Sequence, residues 1–291
     1  LKKILLYADV PDWAWGIKAR QIQKYLSDEF DITIQYRSQK ERVEKNFDIY
    51  FTFEINQIHL FDGIPSNKKI SGVTAHTYVN FRDYPGLLKK CDNVHANSRM
   101  LVEELTKLHP CVWYVPNGVD EELFMYQERD INQEFTVGYA GKNNKYKGLE
   151  DVIRPACEKA KVKLVTQACK HNERNRLPHT HMPDFFANID VVMIASDTDG
   201  TPNQMLEGAS TGRTFIGNRR GNIPEFVNDS INGFMISDKK NTAEYIDKLI
   251  FLKENREACK QMGIAARKTI EEGWTWKTQA ENYRKMFRSI K

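Results

Sequence analysis

Short apolar runs and stretches of helical periodicity alternate along the whole chain of 291 residues. In the first half, KILLYADV (3–10), DITIQYR (31–37), DIYFTFE (48–54), KISGVT (69–74), NVHANS (93–98) and VWYVPN (112–117) each predict a strand. Between the first two, WGIKARQIQKYL (15–26) sets Ile17, Ile22, Tyr25 and Leu26 at roughly helical spacing, and MLVEELTKL (100–108) behaves similarly. The periodicity lapses over 118–134, GVDEELFMYQERDINQE, then restarts with FTVGYAG (135–141), KLVTQA (163–168), DVVMIAS (190–196), TFIGN (214–218) and GFMIS (233–237). The end is helical, from AEYIDKLIFLKEN (243–255) onward. Near-continuous apolar strands alternating with helices imply parallel sheets covered by helices. The expected fold is therefore α/β, two Rossmann-like domains: residues 1–120, then 134–270, with a closing helical segment 271–291.

Composition narrows this picture. At 41% hydrophobic and 28% charged the chain reads as globular, and no run reaches the about 18 to 20 apolar residues of a bilayer span. The start reads as a buried first strand, because its apolar stretch ends at Asp9, too early for a signal-peptide core. Five scattered cysteines (Cys91, Cys111, Cys157, Cys169, Cys259) form no C-x-x-C pair, which argues against a disulfide framework and a zinc site and suits a reducing cytoplasm. Net charge is +4, from 43 basic and 39 acidic residues, without the bias of a nucleic-acid binder. Weak peripheral contact with the inner face of a membrane stays open.

Three places could carry chemistry. The first is DGTPNQMLEG (199–208), just after the strand DVVMIAS. Thr201 suits an N-cap, Pro202 the first helical position, and Gln204 would complete a Thr-x-x-Gln capping box. Ligands of open α/β sheets gather at the carboxyl ends of strands, and a helix N-terminus there suits phosphate. Glu207 would lie about 7–9 Å along that helix at about 1.5 Å per residue, placed for sugar hydroxyls, and Asp199 could bind a second set. An isolated acid pair is more often a solvated helix face.

The second is GYAGKNNKYKGLEDVI (138–153), where Lys142, Lys145 and Lys147 lie between a strand end and a helix start near Gly148. They could neutralise a diphosphate, or be simply solvated; the stretch lacks the P-loop signature, and no G-x-G-x-x-G follows the first strand. The third is His76, at the carboxyl end of the strand in GVTAHTY (72–78). His171, His179 and His181 lie in a polar loop without a recurrent ligand spacing, so no metal is expected.

Several stretches, taken in order, resemble one family. PNGVDEELF (116–124), VGYAGKNNKYKG (137–148), DVVMIASDTDGTPNQMLEGASTGR (190–213) and GNIPEFVNDSINGFMI (221–236) are similar to segments of family-four retaining glycosyltransferases, which have the two-domain GT-B fold with the domains facing each other across a cleft. EEGWTWKTQAENYRKMF (271–287) resembles the family's final helix, which crosses back onto the first domain. The resemblance is specific over about 116–287 and loose before that.

It implies transfer of a sugar, with retention at the anomeric carbon, from a UDP-, GDP- or ADP-sugar to a glycan, lipid-linked or protein hydroxyl. The family's Glu-x7-Glu motif falls on Asp199 and Glu207. By analogy Asp199, Gly200, Thr201 and Asn203 hold the donor sugar, Glu207 the ribose, and Gly16, Lys142 and Lys147 the diphosphate, with His76 beside the donor sugar. No cofactor or metal is implied, because lysines and helix N-termini already oppose the phosphate charge. The sequence departs from the pattern where Asp199 replaces a Glu, where Lys142 replaces an Arg, in a loop one residue short between the two cations, and at Pro202, which removes a backbone donor. A non-catalytic nucleotide-sugar-binding subunit and a GT-B sugar-nucleotide epimerase are the alternative functions.

Overall fold

A computed structural model describes residues 1–37, 43, 45–169 and 177–290. Two compact units divide the chain, Leu1–Gly118 with Trp276–Lys291, and Val119–Thr275. The first is built from β1 (Lys2–Ala8), α1 (Ala14–Leu26), β2 (Phe30–Tyr36), β3 (Ile49–Thr52), β4 (Lys69–Val73), α2 (Tyr84–Leu88), β5 (Asn93–Ala96), α3 (Arg99–Leu105) and β6 (Val112–Tyr114). The strands form one parallel sheet in the order β2-β1-β3-β4-β5-β6. Successive side chains of a strand point to opposite faces. Along β1, Ile4, Leu6 and Ala8 accordingly pack with Ala19, Ile22 and Leu26 of α1, whereas Leu5 and Tyr7 join Ile55, Val94 and Leu101 on the other face. Burial on both faces is what makes these strands read as continuous apolar runs.

The second unit contains β7 (Thr136–Lys142), α4 (Arg154–Ala160), β8 (Lys163–Cys169), α5 (Met182–Ala187), β9 (Val191–Ile194), α6 (Asn203–Ser210), β10 (Thr214–Asn218), α7 (Ile223–Phe226), β11 (Phe234–Ile236), α8 (Thr242–Glu254) and α9 (Arg256–Thr269). Its parallel sheet runs β11-β10-β9-β7-β8. The chain moves outward from β7 to β8, then returns to the other side of β7 for β9. The carboxyl ends of β7 and β9 therefore flank a topological switch point, the place where open α/β sheets bind ligands.

Residues 119–134 hold no helix or strand, yet they pack onto the second unit. Phe124 is fully buried, and its carbonyl accepts hydrogen bonds from Ser210 Oγ at 2.7 Å and Arg267 Nη1 at 3.0 Å. The final helix α10 (Trp276–Ser289) belongs to the first unit. Trp276, Tyr283 and Phe287 enter the core under β1 and α1, and Arg284 donates to Glu29 at 2.8 Å and to the Tyr25 carbonyl at 2.9 Å.

Candidate functional site

The loop after β9 is shaped by its own polar groups. Ser196 Oγ accepts from the amides of Thr198 (3.2 Å) and Asp199 (3.3 Å), curling the chain so that Asp199 turns back beside the strand end. Asn218, at the end of β10, clasps Ser196 with two hydrogen bonds, amide to Oδ1 at 2.8 Å and Nδ2 to carbonyl at 2.9 Å. Gly221 sits at φ +59°, and a Cβ there would lie 2.1 Å from the Gly200 carbonyl oxygen, so only glycine lets the two loops touch. The contact is fixed by Asn222, whose amide donates to the Gly200 carbonyl (2.8 Å) and whose Nδ2 donates to Thr201 Oγ1 (2.9 Å).

Helix α6 starts one residue later than the capping pattern predicts. Pro202 is the N-cap and makes no side-chain cap bond, and Asn203 is the first helical residue. Gln204 is drawn to the neighbouring strand instead: its Oε1 accepts the Ala140 amide at 2.8 Å, tying the helix start to β7. The correction is small, but it aims the first turn of α6 at the switch point.

The loop after β7 meets this helix from the other side. Tyr139 Oη donates to the Lys142 carbonyl at 2.7 Å, and the Lys147 amide closes a turn on Asn144 at 3.0 Å. Gly148 adopts φ +66°, and a Cβ would come within 2.3 Å of the Ala195 carbonyl oxygen. That close approach brings Lys147 Nζ into an ion pair with Asp199 Oδ1, both side chains mostly buried. Lys239 bridges the same two loops, 2.7 Å from Asp197 and 3.7 Å from Asp151.

Glu207 lies on the second turn of α6 and is 15% exposed at its side chain. Its Oε1 is 3.0 Å from His179 Nε2. Lys147, Asp199, Gly200, Thr201, Asn203 and Glu207 thus gather at one end of the second sheet, with Lys142 at the tip of β7 beside them. Two further expected residues lie at the corresponding end of the first unit's sheet. Gly16 is buried in α1, where a Cβ would meet the Val10 carbonyl oxygen at 2.1 Å, and its amide donates to Asp9 Oδ1 at 3.2 Å. His76, just past β4, holds Glu104 Oε1 at 3.2 Å through Nδ1, and Tyr78 Oη donates to the other oxygen of Glu104 at 3.2 Å. Burial, together with Glu104, pushes the Tyr78 phenol up to about 12.

Two residues escaped the sequence reading. Asp9 closes β1, and burial raises its carboxyl above the ordinary carboxylate range despite hydrogen bonds from the amides of Val10 and Gly16. Its signal was an acid directly after an apolar strand. His179 was grouped with two other loop histidines, yet it pairs with Glu207; His171 lies outside the described residues. Among the described residues no three His, Cys, Asp or Glu side chains gather in a way that could hold a metal ion. Nor is any helix among them long and apolar enough to cross a membrane.

Two parallel α/β units, with loops converging at the switch point of the second, define the class of fold, and comparison with known proteins narrows it. Over its whole length the chain is similar to a sucrose-phosphate synthase from Thermosynechococcus elongatus, with TM-score 0.83 and 11% identity, covering 100% of this chain and 99% of the other. It is also similar to HepE of Anabaena in complex with UDP-glucose (TM-score 0.79, 14% identity, 99% and 100% covered) and to a glycosyltransferase from Rickettsia africae (TM-score 0.71, 13% identity, 99% and 98% covered). At these identities the likeness establishes the fold, which is GT-B. Comparison of the sequence with curated proteins gives no match. Residues 134–255, within the second unit, match the family model of glycosyl transferases group 1.

Proposed function

We propose that the chain is a retaining glycosyltransferase that moves a sugar from a nucleoside diphosphate sugar to a hydroxyl of a glycan, lipid-linked or protein acceptor. The observation that carries this reading is the meeting of Lys147, Asp199, the start of α6 and Glu207 at a switch point within the stretch that matches glycosyl transferases group 1. That HepE is solved with UDP-glucose supports a donor of this class.

In the proposed mechanism the donor's diphosphate faces the first turn of α6, whose dipole favours negative charge. Lys147 turns from Asp199 to the diphosphate, and Lys142 reaches it from the tip of β7. Asp199 is thereby released to accept hydroxyls of the donor sugar, next to the amides of Gly200, Thr201 and Asn203. Glu207 accepts the ribose hydroxyls. The C1–O bond to the diphosphate breaks through an oxocarbenium-like state, and the departing phosphate oxygen takes the acceptor's proton on the same face as the acceptor oxygen bonds to C1. Fixed cations and dipoles supply the charge stabilisation in place of a metal. Free cysteines (Cys91, Cys111, Cys157 and Cys259) fit a reducing compartment, so we place the reaction on the cytoplasmic side.

The test is transfer of sugar from UDP-, GDP- and ADP-sugars to a panel of hydroxyl acceptors. Wild type should turn over one donor, and Glu207→Ala should abolish transfer while its circular dichroism stays native. A fully active Glu207→Ala would sink the site assignment, and conversion of the donor without any acceptor would point to an epimerase.

A further inference from the structure

Glu207 is held by a residue from a different part of the chain. His179 follows Pro178 and opens a single 3-10 turn, His179–His181, ahead of α5. Its Nε2 lies 3.0 Å from Glu207 Oε1, with the histidine side chain 20% exposed. The back of the ring meets Phe124 edge-on, centroids 5.2 Å apart at 63°, and Phe124 is itself locked against Phe186 at 6.0 Å. The imidazole is thus pinned by an apolar wall, with one nitrogen aimed at the carboxylate. It is the only side-chain partner of that carboxylate among the described residues.

We propose that His179 is a positioning residue that sets Glu207 for the ribose diol of the nucleotide; this rests on the donor-site reading given above. An ionised carboxylate only accepts, so Nε2 must carry the proton it shares with Oε1. A glutamate on a helix surface has several rotamers open to it, and ordering it on ligand binding has an entropic cost. A ring fixed by Phe124 removes that freedom beforehand, and one donated bond leaves Oε2 and the remaining lone pairs to accept two hydroxyls.

The experiment first identifies by calorimetry which of UDP, GDP and ADP binds wild type, then titrates that nucleotide and its 2′,3′-dideoxy form into wild type, His179→Ala and His179→Gln. Wild type should prefer the ribose form. His179→Ala should weaken the ribose form about fivefold to tenfold, the scale of one ordinary hydrogen bond, and leave the dideoxy form unchanged. His179→Gln should recover most of the loss, because its amide can donate from nearly the same place. Retention of the wild-type preference by His179→Ala would overturn the proposal, as would an equal loss for both forms. No preference in wild type would overturn the ribose role of Glu207 itself, and no binding of any of the three would overturn the donor-site reading.

Discussion

Gly148 turns the loop after β7 toward the end of β9, since its backbone is at φ +66° and a side chain would strike the Ala195 carbonyl. Gly148→Ala should cost about 1–3 kcal/mol of stability in urea unfolding, through left-handed strain and the lost approach together. An unchanged midpoint would show that the loop does not need the contact. At this scale the sequence is informative where partners are local. Asp199 and Glu207 share one loop and one helix directly after a buried strand, and that position, rather than their spacing, places them at the same end of the sheet. His179 and Glu207 are 28 residues apart, joined by a turn without periodicity, and nothing along the chain marks them as a pair. Gln204 misleads for a related reason: the capping pattern is local, whereas the Ala140 amide that takes its oxygen comes from another strand.

The regular elements divide by length. Each of the eleven apolar runs becomes a strand: inner strands such as β3 and β9 are buried at every position, whereas the edge strand β2 alternates buried and exposed residues. Helices such as Tyr84–Leu88, Met182–Ala187 and Ile223–Phe226 span too few turns for an apolar stripe to repeat, and they go unpredicted. Among the polar ties of helix α10 to the first unit is Glu29, whose carboxyl Arg288 and Arg284 hold down at about 2. The folded chain keeps that charge to lower pH than the unfolded chain does, so its contribution is full above about 4.5 and fades as pH falls toward 2. Glu29→Gln should lower Tm slightly at pH 7, in keeping with a solvent-screened pair, with the gap to wild type closing below about pH 4.5. A gap that stays constant with pH would mean the carboxylate's charge is not what anchors the helix.

At the scale of the molecule, the two units repeat one plan. Order β2-β1-β3-β4-β5 in the first matches β8-β7-β9-β10-β11 in the second, and each places its switch point beside its first strand. The alternation of strands and helices reveals two such units, but not this order, because strands buried on both faces look alike from their residues. Nor does it reveal that residues 119–134 pack with the second unit, since single anchors such as Phe124 leave no period. The central claim is that the switch point between β7 and β9 takes a nucleoside diphosphate sugar. Calorimetric titration of UDP-, GDP- and ADP-sugars into wild type and Lys147→Met tests it directly. One donor should bind wild type, and the variant should bind it at least about tenfold more weakly, the loss of one charged contact to phosphate. Equal affinity for both proteins, or no binding of any of the donors, would contradict the account.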